Sequence, residues 1–279
     1  MERRALEKHI AEKQSVLCVG LDPDWERLPR ALRQTQDPQF QFCRAIIDAT
    51  HEHAVAYKPN LAFFEAQGAK GVQSLEKIAD YLHQNYPHHF TIADAKRGDI
   101  GNTAHQYAQA FFDRMGFDAL TIAPYMGGDS VIPFLERPGK WGVLLALTSN
   151  PGAEDFQLLP LSMSEGVPGE ALYQRVLERA QEWGHSGNLM FVVGATRPDF
   201  LRKVRAIAPD NFLLVPGVGA QGGSVAQVLQ HGWGSDGPEL LINASRSILF
   251  ASSGGDFASA AKKAAASLHQ EMQQALSKN

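Results

Sequence analysis

Residues 90–99 read Phe90-Thr91-Ile92-Ala93-Asp94-Ala95-Lys96-Arg97-Gly98-Asp99, an apolar run that turns abruptly into charge. Its first half has the short aromatic and β-branched character of a strand buried on both faces. In its second half a carboxylate and an ammonium stand two residues apart, so strand alternation would turn both to the same side. Buried parallel strands with chemistry at their C-terminal ends are the arrangement of α/β barrels and doubly wound sheets.

Seven further runs resemble this one: Val16–Gly20, Ala54–Lys58, Ala119–Ala123, Gly142–Leu147, Leu189–Val193, Phe212–Val215 and Leu240–Asn243. Each is bounded by Gly, Pro, Asp or Asn, as strand ends are. Segments with helical apolar spacing lie between them, clearest at Gln73–Tyr86, Ala171–Trp183, Phe200–Ile207, Val225–Gln230 and Phe257–Leu276. The strand-to-strand spacing is roughly 32 residues, the length of a βα unit. Eight such units predict an α/β fold, a (β/α)8 TIM barrel occupying residues 1–279 as a single domain. A doubly wound open sheet is the rival that periodicity leaves open. The longest irregular stretch, residues 149–169, follows the fifth run, and loops of that length are usually functional or mobile.

Composition narrows the function. With 44% hydrophobic and 20% charged residues among 279, the chain has enough apolar material for a large core. A net charge of −4 argues against nucleic acid or a membrane surface as partner, but not against a small anion bound locally. The first residues are charged, and no run approaches the ~18 apolar residues of a membrane span, so a cytoplasmic protein is expected. Cys18 and Cys43 sit among apolar neighbours and read as core residues rather than metal ligands. The ten histidines form no metal-binding pattern; His51, His53, His88 and His89 flank strand starts and read as surface residues.

The strand ends carry the chemistry. Asp22 follows the first run, Lys58 and Asn60 the second, Asp94, Lys96 and Asp99 the third, and Thr148 and Ser149 the fifth. In a barrel these converge on one mouth, where an alternating Lys58–Asp94–Lys96 array keeps each member charged beside an opposite charge. A structural ion-pair network would explain one such pair, but not a pair joined by Asp22, Asp99 and an anion site. That anion site is read in Pro-Gly-Val-Gly-Ala-Gln-Gly-Gly (residues 216–223) and Ser245-Arg246, after strands seven and eight. Small residues let backbone N–H groups approach a phosphate, and an arginine can hold it through two parallel bonds.

These residues resemble the orotidine 5′-phosphate decarboxylases, and the likeness runs from Val16 to Phe250. Its most specific element is the D-x-K-x-x-D motif at Asp94, Lys96 and Asp99, continuing to Thr103. Cys-Val-Gly-Leu-Asp22-Pro, Tyr-Lys58-Pro-Asn, the loop containing Gln221 and Ser245-Arg246-Ser-Ile complete it. Lys-Pro-Asn-Leu-Ala-Phe-Phe-Glu and the long loop after strand five are similar to the larger bacterial subgroup. Smaller members often have His where this chain has Asn150.

The resemblance implies a cofactor-free, metal-free conversion of orotidine 5′-monophosphate to UMP and carbon dioxide. Lys96 would protonate C6 of the pyrimidine, Asp94 would sit beside the substrate carboxylate, and Lys58 with Asp99 would complete the charged array. Asp22 and Lys58 would contact the ribose, Ser149 the pyrimidine, and Gln221, Ser245 and Arg246 the phosphate. Asp99 and Thr103 would reach across a homodimer into the neighbouring site. The nearest alternative is a Mg²⁺-dependent phosphosugar lyase of the same suprafamily, which shares D-x-K-x-x-D. Lys58 stands where such an enzyme would want a carboxylate ligand. A non-catalytic nucleotide-binding barrel is the other alternative, and it would have no need of the full Asp–Lys–Asp set.

Overall fold

Each apolar run forms a strand, and the strands close on themselves. In the computed structural model they are β1 (Leu17–Leu21), β2 (Ala56–Pro59), β3 (Phe90–Arg97), β4 (Ala119–Ile122), β5 (Trp141–Leu147), β6 (Leu189–Val193), β7 (Leu213–Pro216) and β8 (Leu240–Ala244). All neighbours pair in parallel, and β8 returns to β1 through Leu17–Ile242, Cys18–Asn243 and Val19–Ala244. The order is sequential around the ring, which decides for the TIM barrel over the open sheet. The structure describes residues 1–161, 169–194, 198–217 and 224–277.

The strands are mostly apolar up to their C-terminal ends because both faces are covered, by the barrel interior and by the outer helices. β1, β6 and β8 are buried at every position. The helix Gly68–Asn85 shows how the outer layer attaches. It buries Leu75, Ile78, Ala79 and Leu82, spaced as one helical stripe. Each large side chain in such a stripe contributes roughly 1.5–3 kcal/mol. The preceding long helix, Pro38–Thr50, starts with Pro38 after the cap Asp37, whose carboxylate accepts from Phe40 N, Ser74 Oγ and Lys77 Nζ. One cap therefore also ties two neighbouring helices together.

The opposite, N-terminal end of the barrel is closed by the helix Arg3–Lys13, which buries Leu6, His9 and Ile10. His89 is packed there, its ring 5.1 Å from that of His9. The surface reading of His89 is thus incorrect: the side chain is buried, although His88 beside it is exposed. The rings of His9, Tyr57 and Tyr86 surround the imidazole, whose Nε2 lies 2.9 Å from the His51 carbonyl oxygen, a placement that two adjacent histidines in sequence do not distinguish. Cys18 and Cys43 are fully buried, as their apolar neighbours predict, and so is Trp141. Among the described residues no helix is long and apolar enough to cross a membrane.

Candidate active site

The charged end of β3 is not a regular strand. Its pairing with β4 slips between Ala93 and Arg97, and Lys96 has a left-handed backbone with φ +49°. Such a conformation costs a non-glycine residue on the order of 1–3 kcal/mol and persists only where neighbours enforce it. Asp94 and Lys96 do meet on one side, but through this irregularity rather than through plain alternation. Between these pairs β3 runs four residues against two on β4, so two extra residues are accommodated at the barrel mouth, where bulges re-aim side chains.

Asp94 is the centre. Its Oδ2 accepts from Lys58 Nζ at 2.6 Å and its Oδ1 from Lys96 Nζ at 2.5 Å. The Asp94 and Lys58 side chains are buried, whereas that of Lys96 is about half exposed (51%) and can address a ligand. Burial alone would raise the Asp94 carboxyl, but the two ammonium groups outweigh it and hold its pKa far below the usual carboxylate range. Burial likewise opposes the Lys58 ammonium, and the Asp94 and Asp22 carboxylates reverse that, lifting its pKa above the usual lysine value. Both groups are therefore ionised at neutral pH.

A third hydrogen bond reaches Asp94 from a residue that the sequence reading passed over. Thr121 Oγ1, on β4, donates to Asp94 Oδ1 at 3.0 Å and accepts from the backbone N–H groups of Ala95 (2.9 Å) and Lys96 (2.8 Å). The available signal was a buried hydroxyl in an otherwise apolar strand, Ala-Leu-Thr-Ile. Asn243 in Leu-Leu-Ile-Asn is a second polar residue of this kind, and its buried Oδ1 has no hydrogen-bond partner among the described residues.

The array lines a cavity of about 610 Å³ that also includes Thr121, Ser149, Val192 and Pro216. Lys58, Asp94, Lys96 and Ser149 are thus brought together as the strand-end reading expected. Gly194 lets β6 pass close to Ser149; a Cβ there would stand 2.7 Å from Ser149 Cβ. Asp22 follows β1, and its buried Oδ1 lacks a hydrogen-bond partner among the described residues. Ser245 packs against Gly20, where a Cβ would lie 1.8 Å from Ser245 Oγ, so the ends of β1 and β8 need that glycine to approach. Arg246 begins the short helix after β8 and is exposed.

Two expected members stand outside the array within this chain. Asp99 makes no ion pair among the described residues; its Oδ1 accepts from Ile100 N at 2.8 Å. Thr103 is exposed on the helix Gly101–Ala108. Of the glycine-rich loop, Pro216 and Gly217 are described, the latter with φ +98°. Gln221 lies outside the described residues, as do residues 162–168 of the long loop.

Comparisons with known proteins agree on one family. The model of the Orotidine 5'-phosphate decarboxylase / HUMPS family matches residues 15–264. The orotidine 5'-phosphate decarboxylase of Flavobacterium johnsoniae is 53% identical over 272 residues, covering 98% of this chain and 97% of its relative. Among solved structures, Leishmania donovani OMP decarboxylase superposes with a TM-score of 0.79 at 38% identity, covering 96% of this chain and 97% of that one. Leishmania donovani UMP synthase gives a TM-score of 0.83 at 40% identity; the match covers 99% of this chain but spans only 56% of the synthase. With the barrel, the Lys–Asp–Lys array at its mouth and relatives of this identity over their full length, the chain belongs to the orotidine 5′-phosphate decarboxylase / HUMPS family.

Proposed function

We propose that the chain decarboxylates orotidine 5′-monophosphate to UMP without metal or organic cofactor, as a cytoplasmic enzyme of pyrimidine nucleotide synthesis. The observation that carries this reading is the array in which one buried carboxylate holds two ammonium groups at the barrel mouth. Both Asp94 oxygens are engaged by lysines, a donor set suited to charge stabilisation rather than to gripping Mg²⁺ as the related phosphosugar lyases do.

The chemistry explains why lysine is needed. Loss of carbon dioxide from C6 leaves an electron pair in an sp² orbital outside the ring's π system, so the ring offers no ordinary electron sink. A fixed ammonium near C6 stabilises the developing carbanion and then supplies its proton. Lys96 takes that role because it is the exposed member of the array, oriented by Asp94. The Asp94 carboxylate, kept ionised, faces the substrate carboxylate, and Lys58 and Asp22 bind the ribose hydroxyls. Ser149 contacts the pyrimidine, while Gln221, Ser245 and Arg246 hold the phosphate. Gripping a phosphate distant from C6 speeds the reaction only where it orders the site around the ring.

The active species in this reading is a homodimer, with Asp99 and Thr103 entering the neighbouring site. Support comes from the exposure of Thr103, from Asp99 having no ion pair among the described residues, and from exposed apolar side chains after β3 and β4, Ile100 (55%), Tyr125 (90%) and Met126 (49%). Exposed apolar groups of this size mark contact surfaces when they cluster. Mixing two inactive variants, Lys96→Ala and Asp99→Ala, tests the sharing: each mixed dimer regains one intact site, and a mixture that stays inactive rejects it.

The reaction itself is tested by following the ultraviolet absorbance of orotidine 5′-monophosphate with purified protein in excess EDTA. Loss of the substrate band with formation of UMP is expected. Turnover of a phosphosugar that stops with EDTA identifies the Mg²⁺-dependent lyase instead. Tight UMP binding with no turnover identifies a nucleotide-binding barrel.

A further inference from the structure

The Thr121 hydroxyl has one proton to donate and two lone pairs to offer, and all three are used. It donates to Asp94 Oδ1 and accepts the N–H groups of Ala95 and Lys96, on either side of the bond that leads into the left-handed Lys96. Thr121 is itself only 1% exposed, so water cannot replace any of these bonds without entering the barrel. Its strand is regular: β4 pairs with β5 from Ala119–Trp141 to Ile122–Leu144 without a slip, so the hydroxyl is presented by a rigid element to an irregular one.

From this geometry we infer that Thr121 is a positioning residue for the decarboxylation, holding the backbone of Lys96 and the carboxylate of Asp94 in mutual register. The inference rests on the proposed roles of those two residues. Two features make the hydroxyl specific. The first is that it bonds the Asp94 carboxylate and the backbone amide of the proton donor Lys96 in the same array, so one atom sets the direction of both. The second is that an unsupported left-handed lysine would relax toward the extended backbone of the strand and swing Nζ away. Displacements of about 1 Å at a reacting group cost on the order of 100-fold in rate.

The test replaces the hydroxyl while preserving shape. Thr121→Val is expected to lower kcat by roughly 10- to 100-fold, with KM for orotidine 5′-monophosphate and Kd for UMP each within about threefold of wild type. Thr121→Ser, which keeps the oxygen, is expected to retain kcat within about threefold. A general loss of packing would give the opposite ranking, because serine removes the methyl that valine keeps. Thr121→Val with kcat unchanged, or with only KM raised, overturns the inference, as does a serine variant as slow as valine. Should the valine protein fail to fold by circular dichroism, Thr121→Cys carries the same comparison, since a thiol is a poor acceptor for two amides. Wild-type protein without activity on orotidine 5′-monophosphate would reject the proposed function, a result distinct from an active wild type with an equally active valine variant.

Discussion

The two ends of the barrel both bury charge, and they treat it differently. At the N-terminal floor, Arg205 donates to the carbonyls of Gly232 (2.7 Å), Asn211 (2.6 Å) and Glu239 (2.7 Å), while Glu239 is paired with Arg3 at 3.2 Å. Burial pulls the Arg205 pKa down to about 10, so it stays charged, fastened to immobile backbone. At the mouth, Lys58, Asp94 and Lys96 pair with one another beside an open cavity, and Lys96 holds a strained backbone. The floor spends its charge on joining loop and strand ends. The mouth keeps a charge exposed to a ligand. A large cavity does not by itself distinguish the two, since one of about 800 Å³ lies at the floor between the Arg3–Lys13 helix and residues such as Trp233. What separates them is whether the cation's partners are backbone carbonyls or a neighbouring carboxylate that lines an open cavity.

On that division, substitutions at the mouth change turnover and those at the floor change stability. The largest effect is expected from Lys96→Ala. Removing both proton donor and electrostatic stabiliser should lower kcat by on the order of 10⁴-fold or more. UMP affinity should stay within about tenfold, as calorimetry would show. A comparable loss of binding would mean that Lys96 is a general substrate contact.

Next is Arg205→Met at the floor, which leaves several buried carbonyls without a donor. Denaturant unfolding should show a loss of about 3 kcal/mol, with kcat of the folded fraction unchanged. A catalytic defect in that variant would blur the two ends into one network.

Arg246→Ala sharpens the mouth further by separating capture from chemistry. Loss of a charge-assisted contact to phosphate should raise KM by roughly 30-fold, about 2 kcal/mol. The kcat effect should be clearly smaller than that of Lys96→Ala in steady-state assays. Equal damage to both parameters by the two variants would remove the basis for assigning them separate roles.

The smallest effect concerns pH. Burial, with help from the nearby Lys13 charge, holds His9 at a pKa of about 4, and burial does the same for His89. A folded-state pKa below the unfolded value near 6.5 favours the neutral ring, so this contribution is complete above pH 6.5 and is lost as pH falls toward 4. Asp94 is depressed below its unfolded value near 3.9 and contributes no slope in that window. Stability should therefore fall by about 1–2 kcal/mol for each histidine between pH 7 and 5. His9→Leu should flatten part of that slope. An unchanged slope in the variant would place the acid-sensitive groups elsewhere.

Much of this arrangement is legible in the residues, because local rules and the fold agree. Buried parallel strands must be apolar on both faces, so eight runs stand out between amphipathic helices such as Gly68–Asn85. Polar and charged residues that follow such runs can only gather at one end of the barrel, which is why Lys58, Asp94, Lys96 and Ser149 read as one site from the sequence and line one cavity in the structure. Most strand limits shifted by a residue or two, as at β2, expected from Ala54 and observed from Ala56, while β3 runs four residues past the apolar run Phe90–Ala93 to Arg97, since hydrogen-bond register rather than hydrophobicity decides where pairing begins and ends.

What the chain alone determined, then, is the repeat of buried strands and covering helices, and which charged residues end the strands. Those follow from burial and periodicity, which act over a few residues. Closure of β8 onto β1, the slip in β3, the left-handed Lys96 and the three bonds of Thr121 were decided by the tertiary structure. They depend on atoms brought together from separate strands: Thr121 lies 27 residues from the carboxylate it orients. No local pattern encodes a hydrogen bond of that span. Only the packed barrel can supply it.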